Sequence, residues 1–222
     1  TACGASPVVT DGAYKGGPTV IDGKLYVLTA GGNIDCYDPN NGLAQCQGFT
    51  PVNLDIIPGS NNDWSSQGSD ILAWNKRLYV ANYQNKMSCF DTTTQAVCAD
   101  WVNAPITVPS TRYGLFRRMD STEKVTGICV AGVNTDATCY DFDGTHPTNV
   151  AMQGTHQGYP GLSGMVETYV KTRVFFVNEL TNNLSCFDWA TQAACTGSGF
   201  SSGLTTALSA SAYGLNTDGV CV

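Results

Sequence analysis

The sequence contains few charged residues, two histidines and no long apolar run. Lys, Arg, Asp and Glu make up 13% of the 222 residues, and the net charge of −7 argues against a nucleic-acid-binding face. No apolar run approaches the roughly 20 residues that span a bilayer, so we expect no membrane span. Since His146 and His156 are the only histidines, few side chains could act as general acids or bases near neutral pH.

The cysteines also lack the spacing of a metal site. None of the ten forms a C-x-x-C pair, and neither histidine lies near a cysteine pair, so we expect no metal and no cofactor. Ten cysteines in this length indicate disulfides and an oxidising compartment. No signal peptide is visible, so we expect Thr1 to follow a processing site and the protein to be secreted, extracellular or at the cell surface.

An apolar triplet recurs five times, and a Cys-aromatic-Asp marker follows the first four copies. The final valines of successive triplets are 53, 50, 47 and 45 residues apart. The triplets are Leu25-Tyr26-Val27, Leu78-Tyr79-Val80, Ile128-Cys129-Val130, Phe175-Phe176-Val177 and Val220-Cys221-Val222. The markers are Cys36-Tyr37-Asp38, Cys89-Phe90-Asp91, Cys139-Tyr140-Asp141 and Cys186-Phe187-Asp188.

Each repeat is predicted to contain four strands, A to D, with the triplet on strand B and the marker on strand C. A short apolar segment such as 18–21 precedes the triplet, and a fourth strand, such as 43–49 or 95–101, follows the marker. Four short strands in about 45 residues is the period of a β-propeller blade. A β-sandwich, the alternative, predicts irregular strand spacing, whereas the spacing here is regular.

The two ends of the sequence each hold half of a further repeat. The last triplet has no marker after it, whereas Cys3 and the apolar run 7–10 look like strands C and D without a triplet. We therefore predict an all-β, single-domain, five-bladed β-propeller over residues 1–222, with one blade shared between N-terminal strands C and D and C-terminal strands A and B. The predicted blades are 18–50, 70–101, 113–152 and 165–199, and the shared blade is 211–222 plus 1–10.

The repeat register pairs all ten cysteines. In three repeats a cysteine on strand C faces one on strand D nine or ten residues later, within reach across a hairpin. In the third repeat and the shared blade, the partner lies in the middle of the B triplet. The five predicted disulfides are Cys36–Cys46, Cys89–Cys98, Cys186–Cys195, Cys129–Cys139 and Cys3–Cys221.

This pattern resembles secreted propellers built from YVTN and PQQ-like repeats, which share the apolar B triplet and a C strand ending in aromatic-Asp. Five blades in a chain of this length, with termini sharing a blade, also resemble the tachylectin-type lectins. The repeat is unlike the Trp-Asp ending of WD40 blades. Because propellers host lectins, glycosidases and scaffolds alike, the resemblance implies a fold and no particular activity.

Aromatic residues on the D-to-A connections are the candidate ligand-binding residues. Sugars stack on such rings while amides and carboxylates bind the hydroxyls. The four residues are Tyr14, Trp64, Tyr113 and Tyr159. Their distances to the following triplet run from 11 to 16 residues, so they do not share one register, and packing between blades is the alternative interpretation.

Acidic residues are weaker candidates for a functional site. The marker aspartates Asp38, Asp91, Asp141 and Asp188 repeat in every unit, so we predict that they cap the C–D turns. A glycosidase pair would come from Asp70, Asp120 and Glu167, which occur one per blade without a surrounding motif. The stretch Asp141-Phe142-Asp143-Gly144 resembles a fragment of a calcium loop, but the ligand spacing stops there, so we interpret it as a turn.

Asn183-Leu184-Ser185 is the only N-glycosylation sequon, and it falls in the predicted B–C turn of the fourth repeat. The sequence as a whole predicts a non-enzymatic extracellular recognition module whose partner is a glycan or an extracellular protein surface. One alternative is a homo-oligomeric subunit of an extracellular filament or matrix that assembles by strand sharing or propeller contacts. A second alternative, a glycoside hydrolase-like enzyme, rests on the fold analogy.

Overall fold

The structure, a computed structural model, is built almost entirely from short β-strands. It describes residues 18–29, 31–55, 70–82, 85–108, 115–130, 137–150, 168–178 and 183–195. This part of the chain contains eighteen strands and one 3-10 turn at Pro39–Asn41, and none of its helices has the length and apolar character needed to cross a membrane. The chain divides into two compact units, Thr1–Val108 and Pro109–Val222, with two antiparallel sheets described in each.

The first sheet contains five strands. They are β1 (Thr19–Ile21), β2 (Lys24–Leu28), β3 (Asn33–Asp38), β4 (Ala44–Gln45) and β5 (Val52–Asn53). Strands β1 to β4 lie side by side in sequence order. Strand β5 pairs with the start of β3, whereas β4 pairs with its end, so two short strands share one edge of β3.

The second sheet repeats this arrangement. Its strands are β6 (Asp70–Trp74), β7 (Arg77–Asn82), β8 (Lys86–Asp91), β9 (Ala96–Val97) and β10 (Ile106–Thr107). The edge of β8 is again shared, by β9 at its end and β10 at its start.

The prediction of four strands in these two blades, with continuous fourth strands over 43–49 and 95–101, is therefore wrong. In each sheet the fourth strand breaks directly after its cysteine. The amide of Phe49 donates to the carbonyl of Cys46, and the amide of Trp101 to that of Cys98, both at 3.0 Å. These turns bury the two aromatic rings, which are 7% and 3% exposed, and burial of such large apolar side chains favours the break.

The third and fourth sheets each contain four strands in sequence order. The third consists of β11 (Leu115–Met119), β12 (Val125–Val130), β13 (Ala137–Tyr140) and β14 (Thr148–Val150). The fourth consists of β15 (Thr168–Val170), β16 (Arg173–Asn178), β17 (Asn183–Asp188) and β18 (Ala193–Ala194). Here the predicted strands A to D are all present.

The strand register shifts the fourth triplet by one residue. In the first three sheets, Tyr26, Tyr79 and Cys129 lie opposite the marker cysteine of strand C. In the fourth sheet Phe175 lies opposite Cys186, so the equivalent triplet is Val174-Phe175-Phe176 and the alignment predicted from the sequence is wrong. Phe175 and Cys186 are eleven positions apart in the sequence, whereas the corresponding partners in the other three sheets are ten apart. Because alternate residues face opposite sides of a sheet, this one-residue difference decides which side chains enter the core.

The two sheets of the first unit pack face to face. One apolar cluster contains Tyr26, Cys36 and Phe49 from the first sheet together with Leu78 and Phe90 from the second. The rings of Tyr26, Phe49 and Phe90 lie 6.1 to 6.3 Å apart. The cysteine-bearing face of the first sheet thus contacts the Leu-Phe face of the second.

The second unit uses the same packing between its own sheets. Phe116, Cys129 and Cys139 of the third sheet cluster with Val174 and Phe187 of the fourth. Trp189, in the turn after β17, adds a ring 4.9 Å from that of Phe187. In both units a buried disulfide therefore lies in the layer between two sheets, where it joins strands that the apolar core already holds together.

Candidate functional site

A disulfide braces each of the four described sheets. Three of them join strands C and D, and in these the amide of the second cysteine also donates to the carbonyl of the first at 2.9 Å. The other joins directly opposed residues of β12 and β13. The four bonds are Cys36–Cys46, Cys89–Cys98, Cys186–Cys195 and Cys129–Cys139, the pairs that the repeat register predicts. The predicted Cys3–Cys221 bond lies outside the described residues.

In three sheets the marker aspartate caps the C–D turn, as predicted. Its carboxylate accepts a hydrogen bond from the amide two residues later, at 2.9, 2.7 and 2.9 Å for Asp38, Asp91 and Asp188. These bonds hold the backbone of a tight connection between strands C and D. The three carboxylates therefore have a structural role.

A basic residue begins strand B in each of these three sheets and pairs with the cap in two of them, whereas Arg77 of the second sheet pairs with Asp100 at 2.8 Å. Lys24 forms an ion pair with Asp38, and its hydrogen bond lowers the pKa of that carboxyl. The nitrogen Nε of Arg173 lies 3.0 Å from Asp188. Burial acts to raise the pKa of Asp188, but the bonds from Thr172 and Arg173 outweigh it and hold that pKa below its usual range.

The third sheet departs from this pattern. Asp141 does not accept the turn amide, so the prediction that it caps the turn is wrong. Its carboxylate instead binds the guanidinium of Arg118 and, at 2.9 Å, the Nδ1 of His146. The cap is Asp143, which accepts the amide of Thr145 at 3.0 Å and its hydroxyl at 2.6 Å. These bonds lower the pKa of both carboxyls, Arg118 acting most strongly on Asp141 and Thr145 on Asp143.

Arg118 reaches Asp141 by crossing the strand between them. It lies on β11 opposite Gly127 of β12. Gly127 occupies the strand B position at which the other three sheets have Lys24, Arg77 and Arg173. A Cβ on Gly127 would lie 3.1 Å from the guanidinium carbon and 2.1 Å from the carbonyl oxygen of Tyr140. The missing side chain therefore opens the path for the guanidinium.

Two further bonds anchor that guanidinium to strand B. Nε donates to the hydroxyl of Thr126 at 3.1 Å, and Nη2 donates to its carbonyl at 2.9 Å. Arg118 is thus bound on both sides of Gly127. Its position is set by three strands of the sheet, and it fixes the carboxylate of Asp141 in turn.

The hydrogen bonds around His146 fix the tautomer of its neutral ring. The Asp141 carboxylate can only accept, so Nδ1 carries the proton between them. The hydroxyl of Thr145, 2.9 Å from the same nitrogen, donates its own proton to Asp143. Nε2 is consequently the acceptor nitrogen, on a side chain that is 80% exposed.

The turns of the third sheet are also enlarged. The A–B connection spans residues 120–124, compared with two residues in the other three sheets, and the C–D connection spans 141–147, compared with four or five. The A–B and C–D connections of an antiparallel sheet lie at the same end of the sheet, so these two enlarged connections are next to each other. We call residues 120–124 and 141–147, with Arg118, the third-sheet rim. Most of its side chains are exposed or half-buried.

Asp120 belongs to this rim as a turn cap. It accepts the hydroxyl of Thr122 at 2.6 Å and the amides of Thr122 and Lys124 at 2.8 and 3.1 Å, and the Thr122 bonds lower its pKa. The glycosidase candidate is therefore engaged in holding its own turn. Among the described residues, no group of three His, Cys, Asp or Glu side chains is arranged to hold a metal ion.

Most of the predicted site residues cannot be placed. Glu167, the side chain of Asp70 and the four candidate aromatic residues Tyr14, Trp64, Tyr113 and Tyr159 lie outside the described residues. Asn183 is the first residue of β17, opposite Asn178, at the end of the B–C connection. The rim itself was missed by sequence reasoning, although glycine at 127, where the first two repeats have Lys24 and Arg77, was a visible signal.

Comparison with known proteins identifies the type of fold. No protein-family profile matches the sequence, and no curated protein matches it either. The structure is similar to hydrazine synthase from Kuenenia stuttgartiensis, with a TM-score of 0.55, 15% identity and coverage of 86% of this chain and 50% of that one. BamB from Moraxella catarrhalis gives a TM-score of 0.48 and 13% identity over 82% and 47% of the two chains.

Both of these neighbours are β-propeller proteins. This chain spans about half the length of each, and at such low identity the likeness to hydrazine synthase concerns the fold alone. The likeness to hydrazine synthase therefore indicates that the architecture of the described sheets is of the β-propeller type.

Proposed function

We propose that the protein is a secreted, non-enzymatic recognition module that binds glycans or other cell-surface matter. The observation that carries this proposal is the third-sheet rim, where one of the four described sheets has enlarged, exposed and polar turns. In repeat proteins, insertions in single repeats occur on loops, often on the binding face. Loops positioned by a rigid framework are also where binding residues concentrate.

The disulfides support the extracellular part of the proposal. Each described sheet has one, and the cysteines involved are buried or nearly so. Such bonds persist in oxidising environments and are rare where thiols are kept reduced. They also give the rim a stiff base, which lowers the entropy lost when a ligand binds.

We further infer that the fold has five blades and a fifth disulfide, Cys3–Cys221. The triplet Val220-Cys221-Val222 has the cysteine at the place of Cys129, whose partner is Cys139 on strand C. Cys3 would then take the place of Cys139. The identical sheet-on-sheet packing within each of the two units supports repetition of the same blade.

The described carboxylates support binding over hydrolysis. Asp120 and Asp143 cap turns, and Asp141 is paired with Arg118 and His146. A glycoside hydrolase needs one carboxyl kept protonated beside one kept ionised. Depressed pKa values in all three make each of them a constant anion at neutral pH, which suits a site that accepts hydrogen bonds.

Strand edges bear on the filament alternative. The edge strands β4, β5, β9 and β10 are two residues long, and a turn that begins at Cys46 or Cys98 interrupts each pair. Short, broken edges hinder the addition of a further strand. These two edges are therefore poor sites for assembly by strand sharing, and no described feature favours the filament.

The native protein, labelled with a fluorophore, tests the proposal on a glycan array and on intact cells. We expect binding to a defined subset of glycans and loss of cell binding after glycosidase treatment. Light scattering should give the mass of one 23.5 kDa chain. Failure to bind any glycan or any cell surface would refute the recognition role, and large polymers at micromolar concentration would favour the filament.

A further inference from the structure

A directed chain of hydrogen bonds crosses the third-sheet rim. Arg118 donates to Asp141, His146 Nδ1 donates to Asp141 from the other side, and Thr145 donates to Asp143. Each of these three bonds ends on a carboxylate, and the other described bonds of Arg118 go to Thr126. Acceptor groups of His146 and Asp143 remain in the same turn.

Two such acceptors come from neighbouring positions of one turn. The first is Nε2 of His146, the deprotonated nitrogen of the neutral ring. The second is Oδ2 of Asp143, since both hydrogen bonds from Thr145 go to Oδ1. Phe142, half-buried in the same turn, adds aromatic surface between the two acidic residues.

We propose that the third-sheet rim is a saccharide-binding site in which two hydroxyl groups of one sugar donate to His146 Nε2 and Asp143 Oδ2. A saccharide offers adjacent hydroxyl donors in fixed geometry, together with a C–H face that packs on an aromatic ring such as that of Phe142. This proposal rests on the proposed glycan-recognition role and names the site for it.

The site is pre-organised at its base. The imidazole is held through Nδ1 by Asp141, and Asp141 is held by Arg118, which is itself bound to Thr126. Binding therefore requires little reordering of the imidazole, and removing its support should weaken binding without removing a contact.

The rim is acidic overall, because Asp120, Glu123, Asp141 and Asp143 outnumber Arg118 and Lys124. An acidic surface attracts basic side chains as well as accepting hydroxyl donors, so a basic peptide is the competing ligand in the test. Neutral monosaccharides and oligosaccharides, whose adjacent hydroxyls match two acceptors on one turn, are the probes of choice.

The test uses the full-length native protein and methyl glycosides of glucose, galactose, mannose and N-acetylglucosamine, followed by an array of neutral oligosaccharides. His146→Phe removes the acceptor nitrogen and keeps a ring, and Asp143→Asn keeps an oxygen for the turn while replacing the other acceptor with a donor. Matched controls are His156→Phe, at the other histidine, and Asp91→Asn, at the turn cap of the second sheet. Thermal melting checks the fold of each variant.

We expect Asp143→Asn to lose about tenfold or more in affinity, since a hydrogen bond to a charged group accounts for roughly that factor. His146→Phe should lose about fivefold, the factor expected for a hydrogen bond to a neutral ring nitrogen. The controls should change by less than about twofold. Long-range ¹⁵N–¹H correlation should show His146 protonated at Nδ1 and its Nε2 resonance shifting as sugar is added. This readout does not depend on which variant folds.

The remaining outcomes separate the site from the function. Sugar binding that survives both rim variants, or an Nε2 resonance that ignores the sugar, overturns this site and leaves glycan recognition standing elsewhere on the chain. Binding of basic peptides in place of sugars overturns the ligand class. Absence of binding to any glycan refutes the proposed function and this site with it.

Discussion

The second and third sheets hold the connection between strands C and D by different means. In the second sheet, the Cys89–Cys98 bond and the Asp91 cap secure a four-residue turn. In the third sheet the disulfide lies between strands B and C, and the seven-residue C–D connection depends on Asp141 and Asp143 and their polar partners. The C–D connection is therefore held by a disulfide in the second sheet and by a network of polar side chains in the third sheet, where it is longer.

The third sheet differs from the others at three linked positions. It has its cation on strand A, as Arg118, glycine at 127 on strand B, and the carboxylate of Asp141 bound to His146. A single substitution would not reproduce this, because each member depends on the geometry of the next. We therefore expect substitutions of Arg118, Asp141 and His146 in the third sheet to be strongly coupled in their effects on the free energy of unfolding. In the second sheet the disulfide and the Asp91 cap should contribute nearly independently.

The largest effect should come from Gly127→Ala. The added Cβ would lie 2.1 Å from the carbonyl of Tyr140 and 3.1 Å from Arg118, so strands B and C must separate or the Arg118–Asp141 pair must break. We expect a loss of about 3 kcal/mol or more in the free energy of unfolding. Urea denaturation measures it. Gly31→Ala is the control, since a Cβ there meets nothing closer than 3.6 Å, and equal losses in both variants would contradict the crossing geometry.

The next largest effect should come from removing the disulfide of the second sheet or that of the third sheet. Cys89→Ala with Cys98→Ala opens a loop of nine residues, and Cys129→Ala with Cys139→Ala a loop of ten, so each should cost about 2–3 kcal/mol in the chain-entropy model. Amide hydrogen exchange distinguishes them. Protection at 92–97 should fall in the first double variant, whereas protection at 141–147 should stay unchanged in the second. Loss at 141–147 would mean that the third disulfide also secures that connection.

A smaller effect concerns acid stability and Asp141. Because Arg118 and His146 lower the pKa of its folded carboxyl, the charged form stabilises the fold fully above the ordinary value of about 3.9, and this stabilisation disappears as the pH falls through the lower folded pKa. Asp141→Asn should flatten the stability curve below about pH 4. The carboxyl is 41% exposed, so we expect less than about 1 kcal/mol. Thermal melting from pH 2 to 7 tests this, and parallel curves would contradict it.

The strand framework was predictable from the sequence because it is set by local signals. The triplet, the marker and the turn residues fixed strands B and C and four cysteine pairs. The broken fourth strands were not predictable in the same way. Their course depends on whether Phe49 and Trp101 are buried against a neighbouring layer, and strand propensity contains no information about that layer.

The sequence did not predict the register of the fourth repeat or the third-sheet rim, and the reason is related. Val177 imitates the valine that ends the other triplets, and only the pairing of Phe175 with Cys186 shows the slip. Asp141 has the same local sequence as the other markers, whereas its partner Arg118 is 23 residues away and reaches it across another strand. Pattern reasoning assigns a repeated residue the same role everywhere, and a long-range contact overrides that role.

The smallest effect should arise in the A–B turns. Lys76 adopts φ of +62° at the second position of its two-residue turn, a left-handed conformation that side chains disfavour and that suits type I′ hairpins. The first sheet has Gly23, with φ of +72°, at the same position. Lys76→Gly should therefore stabilise the second sheet by about 0.5 kcal/mol, because relief of this strain slightly exceeds the added freedom of the unfolded chain.

The third sheet supplies the matched test. Glu123 also has a positive φ, +68°, but its five-residue turn is already held by three bonds to Asp120. The carbonyl of Lys76, by contrast, accepts bonds from the amide and hydroxyl of Thr92 in the neighbouring C–D turn, at 2.9 and 2.8 Å. Relief of strain at 76 is thus transmitted to a second turn, whereas relief at 123 remains local. We expect Glu123→Gly to raise the melting temperature less than Lys76→Gly does, and the reverse order would show that turn length, and not coupling between turns, governs the gain.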